Sequence, residues 1–204
     1  MHRDGSQLRD KNGLTEEEFL ARYTPKKYPQ PSLTADICVF RRNEEGTQLL
    51  LVQRGGHPYL GCWATPGGFA NPNETADQCA ARELSEETGA QGLDLEPLRL
   101  YSTPGRDPRG WTVSYAFVAL DRRGITVHAG DDAARAVWFD VTARSEGARE
   151  ELTLSHGDEV LRVSFGTSRL PISGLPRATD VEGDGLAFDH ANIVADAWLM
   201  VQGR

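Results

Sequence analysis

One stretch limits what this chain can become: residues 67–90, where a glycine pair, a lone acid and a short acidic helix follow at fixed spacing. Gly67 and Gly68 open it and Glu74 follows. Thr75 and Gln78 form a capping box, so the spacing predicts a helix over residues 76–88. Gly89 stands where a left-handed residue closes such a helix. At about 100° per residue, Glu83, Glu86 and Glu87 fall within one arc of about 100°. Arg82 lies four residues before Glu86 and can pair with it.

Three carboxylates on one patch repel one another. Hard divalent cations take oxygen ligands, and Mg²⁺ shares its coordination sphere with substrate phosphates. The patch therefore suits a metal carrying a diphosphate. Such a metal would neutralise phosphoryl oxygens and lower the pKa of a water that attacks phosphorus. Gly67 and Gly68 let the backbone approach the metal or phosphate, and a glycine carbonyl can serve as a ligand. Taken alone, Arg-Glu-x-x-Glu-Glu reads as a solvated helix face. The full spacing, from Gly68 through Glu74 to Arg82-Glu83-Leu84-x-Glu86-Glu87-x-Gly89-Ala90, fixes seven identities. Chance would place them at a given start with a frequency on the order of 10⁻⁸.

This pattern is the Nudix box, and the chain resembles the Nudix hydrolase family at every fixed position. The resemblance implies an α/β/α sandwich with a mixed β-sheet and hydrolysis of a nucleoside diphosphate linked to a group X. It implies Glu83, Glu86 and Glu87 as ligands for Mg²⁺ or Mn²⁺. It makes Arg82 and Glu74 the residues that hold the loop–helix–loop in shape. It extends from about residue 31 to residue 139. In the approach to the box, residues 63–68, Thr65 stands where Leu is commoner.

Around the box the chain alternates irregularly between strands and helices, which points to an α/β layered domain with a mixed sheet. Thr15 and Glu18 form another capping box, starting a helix to about residue 23; Pro25, Pro29 and Pro31 then make an extended connector. The expected organisation is this N-terminal segment, residues 1–31, and a hydrolase domain over residues 32–204. Strands are expected at 34–40 and 48–54, paired as a hairpin, and at 98–103, 111–120 and 136–139. Residues 131–135 read as one helical turn. The C-terminal elaboration comprises a hairpin near 152–165, a Pro- and Gly-rich loop over 169–185 and a final helix near 189–202. Ile193, Val194, Ala197 and Val201 would be the buried stripe of that helix.

The box does not identify X. Pro104, fifteen residues past Gly89, and the loop Arg106-Asp107-Pro108-Arg109-Gly110 resemble the ADP-ribose pyrophosphatase subgroup. So do Gly130-Asp131-Asp132-Ala133 and Leu186-Ala187-Phe188-Asp189-His190. Arg54, Arg106 and Arg109 could neutralise phosphates, or be solvated surface arginines. Trp63, Trp111 and Tyr101 are candidate adenine-stacking groups, or core. His190 could touch substrate, cap the helix or pack. The general base is Glu86 of the box or, as in ADP-ribose pyrophosphatases, a later glutamate: Glu146, Glu150, Glu151 or Glu159.

The net charge of −8 argues against broad binding to nucleic acid or to an anionic membrane. Three cysteines without a C-x-x-C spacing fit a reducing cytoplasm, and no apolar run is long enough for a membrane span. The reading is a metal-dependent pyrophosphohydrolase acting on ADP-ribose. A nucleoside triphosphate pyrophosphatase and an ADP-ribose-sensing transcriptional regulator are the alternatives. Homodimerisation is expected from the subgroup, and the helix at 15–23 could pack across its interface.

Overall fold

The computed structural model describes residues 8–25, 27–44, 46–130 and 133–202. The chain divides into two compact units, Met1–Gln30 and Pro31–Arg204. In the first, α1 (Glu16–Arg22) starts as the sequence requires. Thr15 Oγ1 accepts from Glu18 N–H at 3.2 Å, and Thr15 N–H donates to Glu18 Oε2 at 2.8 Å. None of the residues of α1 is buried.

The second unit is built on a mixed sheet of ten strands among the described residues. β1 (Ser32–Asn43) and β2 (Gly46–Arg54) form the expected antiparallel hairpin around Asn43 and Gly46. β3 (Trp63–Ala64) and β4 (Gly67–Phe69) pair with β2 and β1. After α2 (Ala76–Thr88) come β5 (Glu96–Tyr101) and β6 (Thr112–Asp121), and β6 lies parallel to β1. β7 (Ala133–Glu146), β8 (Arg149–His156), β9 (Glu159–Arg169) and β10 (Pro176–Asp184) form an antiparallel meander, and α3 (His190–Val201) closes the fold. The strand order is β10-β9-β8-β7-β2-β1-β6-β5.

Strand alternation assigns the two cores. Ala35, Ile37 and Val39 of β1 and Leu50 of β2 pack with Cys79, Ala80 and Leu84 of α2. Cys38 and Phe40 of β1 and Leu49 and Leu51 of β2 pack on the opposite face with Ile193, Val194 and Ala197 of α3. The sheet therefore lies between two helical layers. The stripe expected on α3 is buried, and so are Ala195, Trp198 and Leu199.

Two local expectations give way to pairing between strands. Ala133–Arg135 do not form a helical turn: Ala133 opposes Arg54 and Arg135 opposes Gln53 in the β2–β7 ladder. Asp131 and Asp132 lie outside the described residues. Residues 169–185 are not all loop, because β10 pairs with β9 from Pro176↔Arg169 onward, with a bulge between Thr179 and Glu182. Proline and glycine weaken the local strand signal, but an edge strand tolerates both.

Candidate active site

The box helix is fixed at both ends. At its start, Thr75 Oγ1 accepts from Gln78 N–H at 3.2 Å, and Gln78 Oε1 accepts from Thr75 N–H at 2.9 Å. At its end Gly89 is left-handed, with φ 71°. His128 N–H and Gly130 N–H donate to the carbonyls of Thr88 and Glu87, at 3.0 and 2.9 Å. These donors satisfy terminal carbonyls that the helix leaves without an internal partner. With Cys79, Ala80 and Leu84 buried against the sheet, the opposite arc faces an open cleft of about 770 Å³.

Arg82 is the hub of that arc. Its Nε and Nη2 bond the two oxygens of Glu74 at 2.8 and 2.9 Å, and Nη2 also donates to the Phe69 carbonyl at 3.0 Å. Its Nη1 reaches Glu83 at 2.7 Å and Glu86 at 2.9 Å. Glu74 also accepts from Asn71 N–H at 2.8 Å. Arg82 and that amide hold the Glu74 carboxyl at about 2, far below the usual carboxylate range. The loop before the helix is thus tied to the helix through one guanidinium.

The glycine turn lies against the glutamates. Gly67 N–H donates to Glu87 Oε2 at 3.0 Å. A Cβ at Gly68 would come within 2.5 Å of the Glu83 carboxylate. Burial pushes Glu87 up to about 7; the Gly67 amide opposes this, while anionic Glu83 and Asp36 add to it. Burial also raises Glu83, against the pull of Arg82.

Among the described residues no three acidic, imidazole or thiol groups converge as they stand on a metal position. Arg82 draws Glu83 and Glu86 to itself, and Glu86 is 58% exposed at the rim. The residues nevertheless fit a hard divalent cation. The donors are all oxygens, Gly68 lets the Glu83 carboxylate lie against the backbone, and partly buried Glu87 stands in the field of the Glu83 and Asp36 carboxylates.

The same cleft is lined by Arg54, Arg106, Arg109, Phe188 and His190. Arg106 is committed elsewhere. It is buried, with its guanidinium on Asp189 at 2.6 and 2.9 Å and on Asp36 at 3.4 Å. It ties residues 103–110 to β1 and to the start of α3, so its expected role as a free phosphate ligand is corrected to that of a bracket. Arg109 pairs with Asp107 at 2.7 Å but lies at the surface, 5.0 Å over the Phe69 ring and 5.5 Å over that of Phe188. Arg54 donates Nε–H to the Pro58 carbonyl at 2.8 Å and sits 4.8 Å over Phe188. Burial and then Arg109 lower its pKa. Two mutually repelling cations over one ring make a place where an anion relieves strain in the field.

His190 has a defined tautomer. Thr65 N–H can only donate, and it points at Nδ1 from 3.1 Å. The proton of the neutral ring is therefore on Nε2, which lies 3.7 Å from Asp36 Oδ1. Burial depresses the pKa. Thr65 thus holds His190 through its backbone, and its own hydroxyl lies 3.0 Å from Nδ1.

The aromatic candidates separate from the cleft. Trp63 is buried edge-on against Phe139 at 4.7 Å, and its Nε1–H donates to Glu159. Tyr101 is 5% exposed and donates its hydroxyl to Asp196 at 2.7 Å. Both rings pack in the core, the second of the two readings given for them, although Tyr101 also borders a neighbouring cleft with Tyr59 and Phe188. Trp111 is exposed but does not line the cleft. Glu146, Glu150, Glu151 and Glu159 are likewise absent from its lining. Glu159 is taken by Trp63 and Arg135, and Glu150 by Gln202. Sequence reasoning missed Asp36 and Phe69. A carboxylate inside the apolar run of β1 was the available signal for Asp36, since a buried acid in a strand requires partners.

The chain is similar to known proteins in sequence and in fold. The NUDIX domain model matches residues 32–158. An ADP-ribose pyrophosphatase of Methanocaldococcus jannaschii is 40% identical over 114 residues, covering 56% of this chain and 64% of that protein. The ADPR responsive transcriptional repressor NtrR of Acinetobacter baylyi is 38% identical over 111 residues, 53% of this chain and 44% of the repressor. The chain thus spans less than two thirds of these relatives. A MutT/nudix family protein from Enterococcus faecalis superposes with a TM-score of 0.75 and 34% identity, over 94% of this chain and 71% of that one. The NUDIX domain of Shewanella oneidensis NrtR, solved with ADP ribose, gives 0.56 and 34% over 61% of this chain and 82% of that one. With its box intact and its domain matched over more than half its length, the chain belongs to the Nudix family.

Proposed function

We propose that this chain is a metal-dependent pyrophosphohydrolase that cleaves ADP-ribose to AMP and ribose 5-phosphate. One observation carries the reading: a single cleft unites the three box glutamates with the cations of Arg54 and Arg109. The named activity of the Methanocaldococcus relative and the ligand of the Shewanella domain support ADP-ribose over other X groups.

Glu83, Glu86 and Glu87 would hold Mg²⁺ or Mn²⁺, with Gly67 and Gly68 giving the backbone access. When bound, the metal supplies charge neutralisation at phosphorus and a water of lowered pKa. Arg54 and Arg109 bind and orient the diphosphate. Glu86, exposed at the rim, takes the water's proton as the new O–P bond forms and the bridging P–O bond breaks. Arg82 and Glu74 keep the glutamates aimed. The protein works in a reducing cytoplasm as a homodimer; a monomer mass in light scattering would refute the dimer. The described cysteines are free.

A second reading, an ADP-ribose-responsive regulator, is favoured by the repressor relative. Residues 141–204 carry 6 Arg and Lys against 10 Asp and Glu, a poor electrostatic match to DNA. The deciding experiment measures AMP release from ADP-ribose beside pyrophosphate release from dNTPs, with Mg²⁺ and then Mn²⁺. ADP-ribose should turn over faster. Equal or slower turnover overturns the substrate, and a mobility shift on upstream DNA without turnover installs the regulator.

A further inference from the structure

Two aromatic residues stand on left-handed backbone, Tyr59 with φ 61° and Phe188 with φ 53°. Bulky side chains are rare there, and such strain collects at ligand sites. The two rings meet each other, centroids 4.8 Å apart and tilted by 58°. Phe188 carries the guanidinium of Arg54 and, at longer range, that of Arg109. Phe69 carries Arg109 as well. Tyr59 is 41% exposed, and among the described residues its one ring partner is Phe188.

Phe188 is also a wall between two spaces. It lines the cleft that holds the box, and it lines a second cleft of about 460 Å³ with Tyr59, Tyr101, Arg177 and Asn192, where Asp189 and Asp196 are already paired with Arg106 and with Arg99 and Tyr101, respectively. Because Phe188 borders both spaces, a diphosphate held beside the box by Arg54 and Arg109 would lie next to the second cleft. Its lining suits a nucleobase. Tyr59 offers a face for stacking, which is sequence-tolerant because every base has a π-face. Asn192 donates Nδ2–H to the Asp189 carbonyl at 3.3 Å, leaving its Oδ1 to accept from a base edge. Arg177 is exposed and brings a planar guanidinium.

We infer that the Tyr59–Phe188 pair is the base-binding wall of this chain: the base of a nucleoside diphosphate substrate stacks on Tyr59 in the second cleft while the diphosphate lies at the box. The inference rests on the pyrophosphohydrolase reading for the placement of the diphosphate. It assigns the chain a preference for ligands that carry a base.

AMP and ribose 5-phosphate differ in the base, so their relative affinities isolate this wall. Calorimetry on the full chain with Mg²⁺ should show AMP binding at least about tenfold tighter than ribose 5-phosphate. Tyr59→Gly and Phe188→Gly should bring that ratio close to one. Glycine adopts the left-handed backbone without strain, so the Tyr59 variant should melt no lower than the wild type. Ile172→Ser, at an exposed hairpin tip, should keep the wild-type ratio. No preference in the wild type, or a ratio that both glycine variants preserve, overturns the inference. If ADP-ribose is not hydrolysed but the AMP preference exists and falls in Tyr59→Gly, the hydrolase reading fails and the base wall stands. If hydrolysis proceeds with no AMP preference, the base wall fails and the hydrolase reading stands.

Discussion

Arg82 holds Glu74 at two points, Nε on one carboxylate oxygen at 2.8 Å and Nη2 on the other at 2.9 Å, while its remaining nitrogen reaches Glu83 and Glu86. A lysine carries the same charge but cannot make this fork. Arg82→Lys should therefore release the glutamates from their alignment with charge conserved. Misplacement by about 1 Å costs catalysis about 10²-fold, and that loss is expected in kcat/KM for ADP-ribose. Wild-type kinetics in Arg82→Lys would show that charge alone suffices.

Gly68 keeps a side chain away from Glu83. In Gly68→Ala the new Cβ lies 2.5 Å from the Glu83 carboxylate, so the carboxylate must move. Turnover should fall by about 10²-fold and the Mg²⁺ needed for half activity should rise. A magnesium titration of initial rates reads both quantities. An unchanged midpoint would mean that Glu83 is not a ligand.

Glu87→Gln tests the ligand set without breaking the fold, because an amide oxygen can still accept from Gly67 N–H. Wild-type protein should be stabilised by Mg²⁺, by about 2.7 kcal/mol when the ion is at a hundred times its Kd. Glu87→Gln should keep its metal-free melting temperature within a few degrees and lose most of the magnesium-induced shift and turnover. Adding a chelator to the wild type should reproduce the same loss. If the variant still responds fully to Mg²⁺, Glu87 leaves the ligand set.

Asp196 anchors α3 from inside. It accepts from Tyr101 hydroxyl at 2.7 Å and Ala178 N–H at 2.8 Å, and pairs with Arg99 at 3.0 Å. Asp196→Ala strands a buried hydroxyl and a buried amide. The expected cost is about 3 kcal/mol in urea unfolding. A change below about 0.5 kcal/mol would count against this anchor.

His190 gives the fold a pH dependence of definite sign. Burial holds its pKa below 6.5. Between the folded value and about 6.5 the unfolded chain binds more protons than the native one. Stability is complete above about pH 6.5 and falls as the pH drops through that window. Urea midpoints at about pH 7.5 and about pH 5.5 should differ by more in the wild type than in His190→Gln. Equal slopes would assign the acid sensitivity to other groups.

Local chemistry was legible wherever a few neighbouring residues decide the outcome. Both capping boxes, the span of α2, the left-handed Gly89 and the β1–β2 hairpin follow from contacts within a few positions. The acidic arc on α2 was legible for the same reason. What escaped depends on distant partners. Arg106 meets Asp189 across 83 positions, and no spacing encodes that pairing. Trp63 and Tyr101 carry the same ring chemistry in a core as in a binding site, and the partners Glu159 and Asp196 are set by the sheet. β10 is hidden because its edge position permits Pro176 and Gly183, which read as loop.

β1 supplies both cores from alternate positions and places Asp36 on the face of Cys38 and Phe40, against Arg106 and Ser114. A single inserted residue within residues 32–36 would exchange the two faces, sending Ala35 to the cleft and a carboxylate into the layer beneath α2. This segment therefore cannot change length while the fold is kept. Length variation has to be absorbed where the chain turns through solvent, as at residues 170–175 between β9 and β10, where Ile172 is 99% exposed. Tags, fused domains and inserted loops belong at that tip.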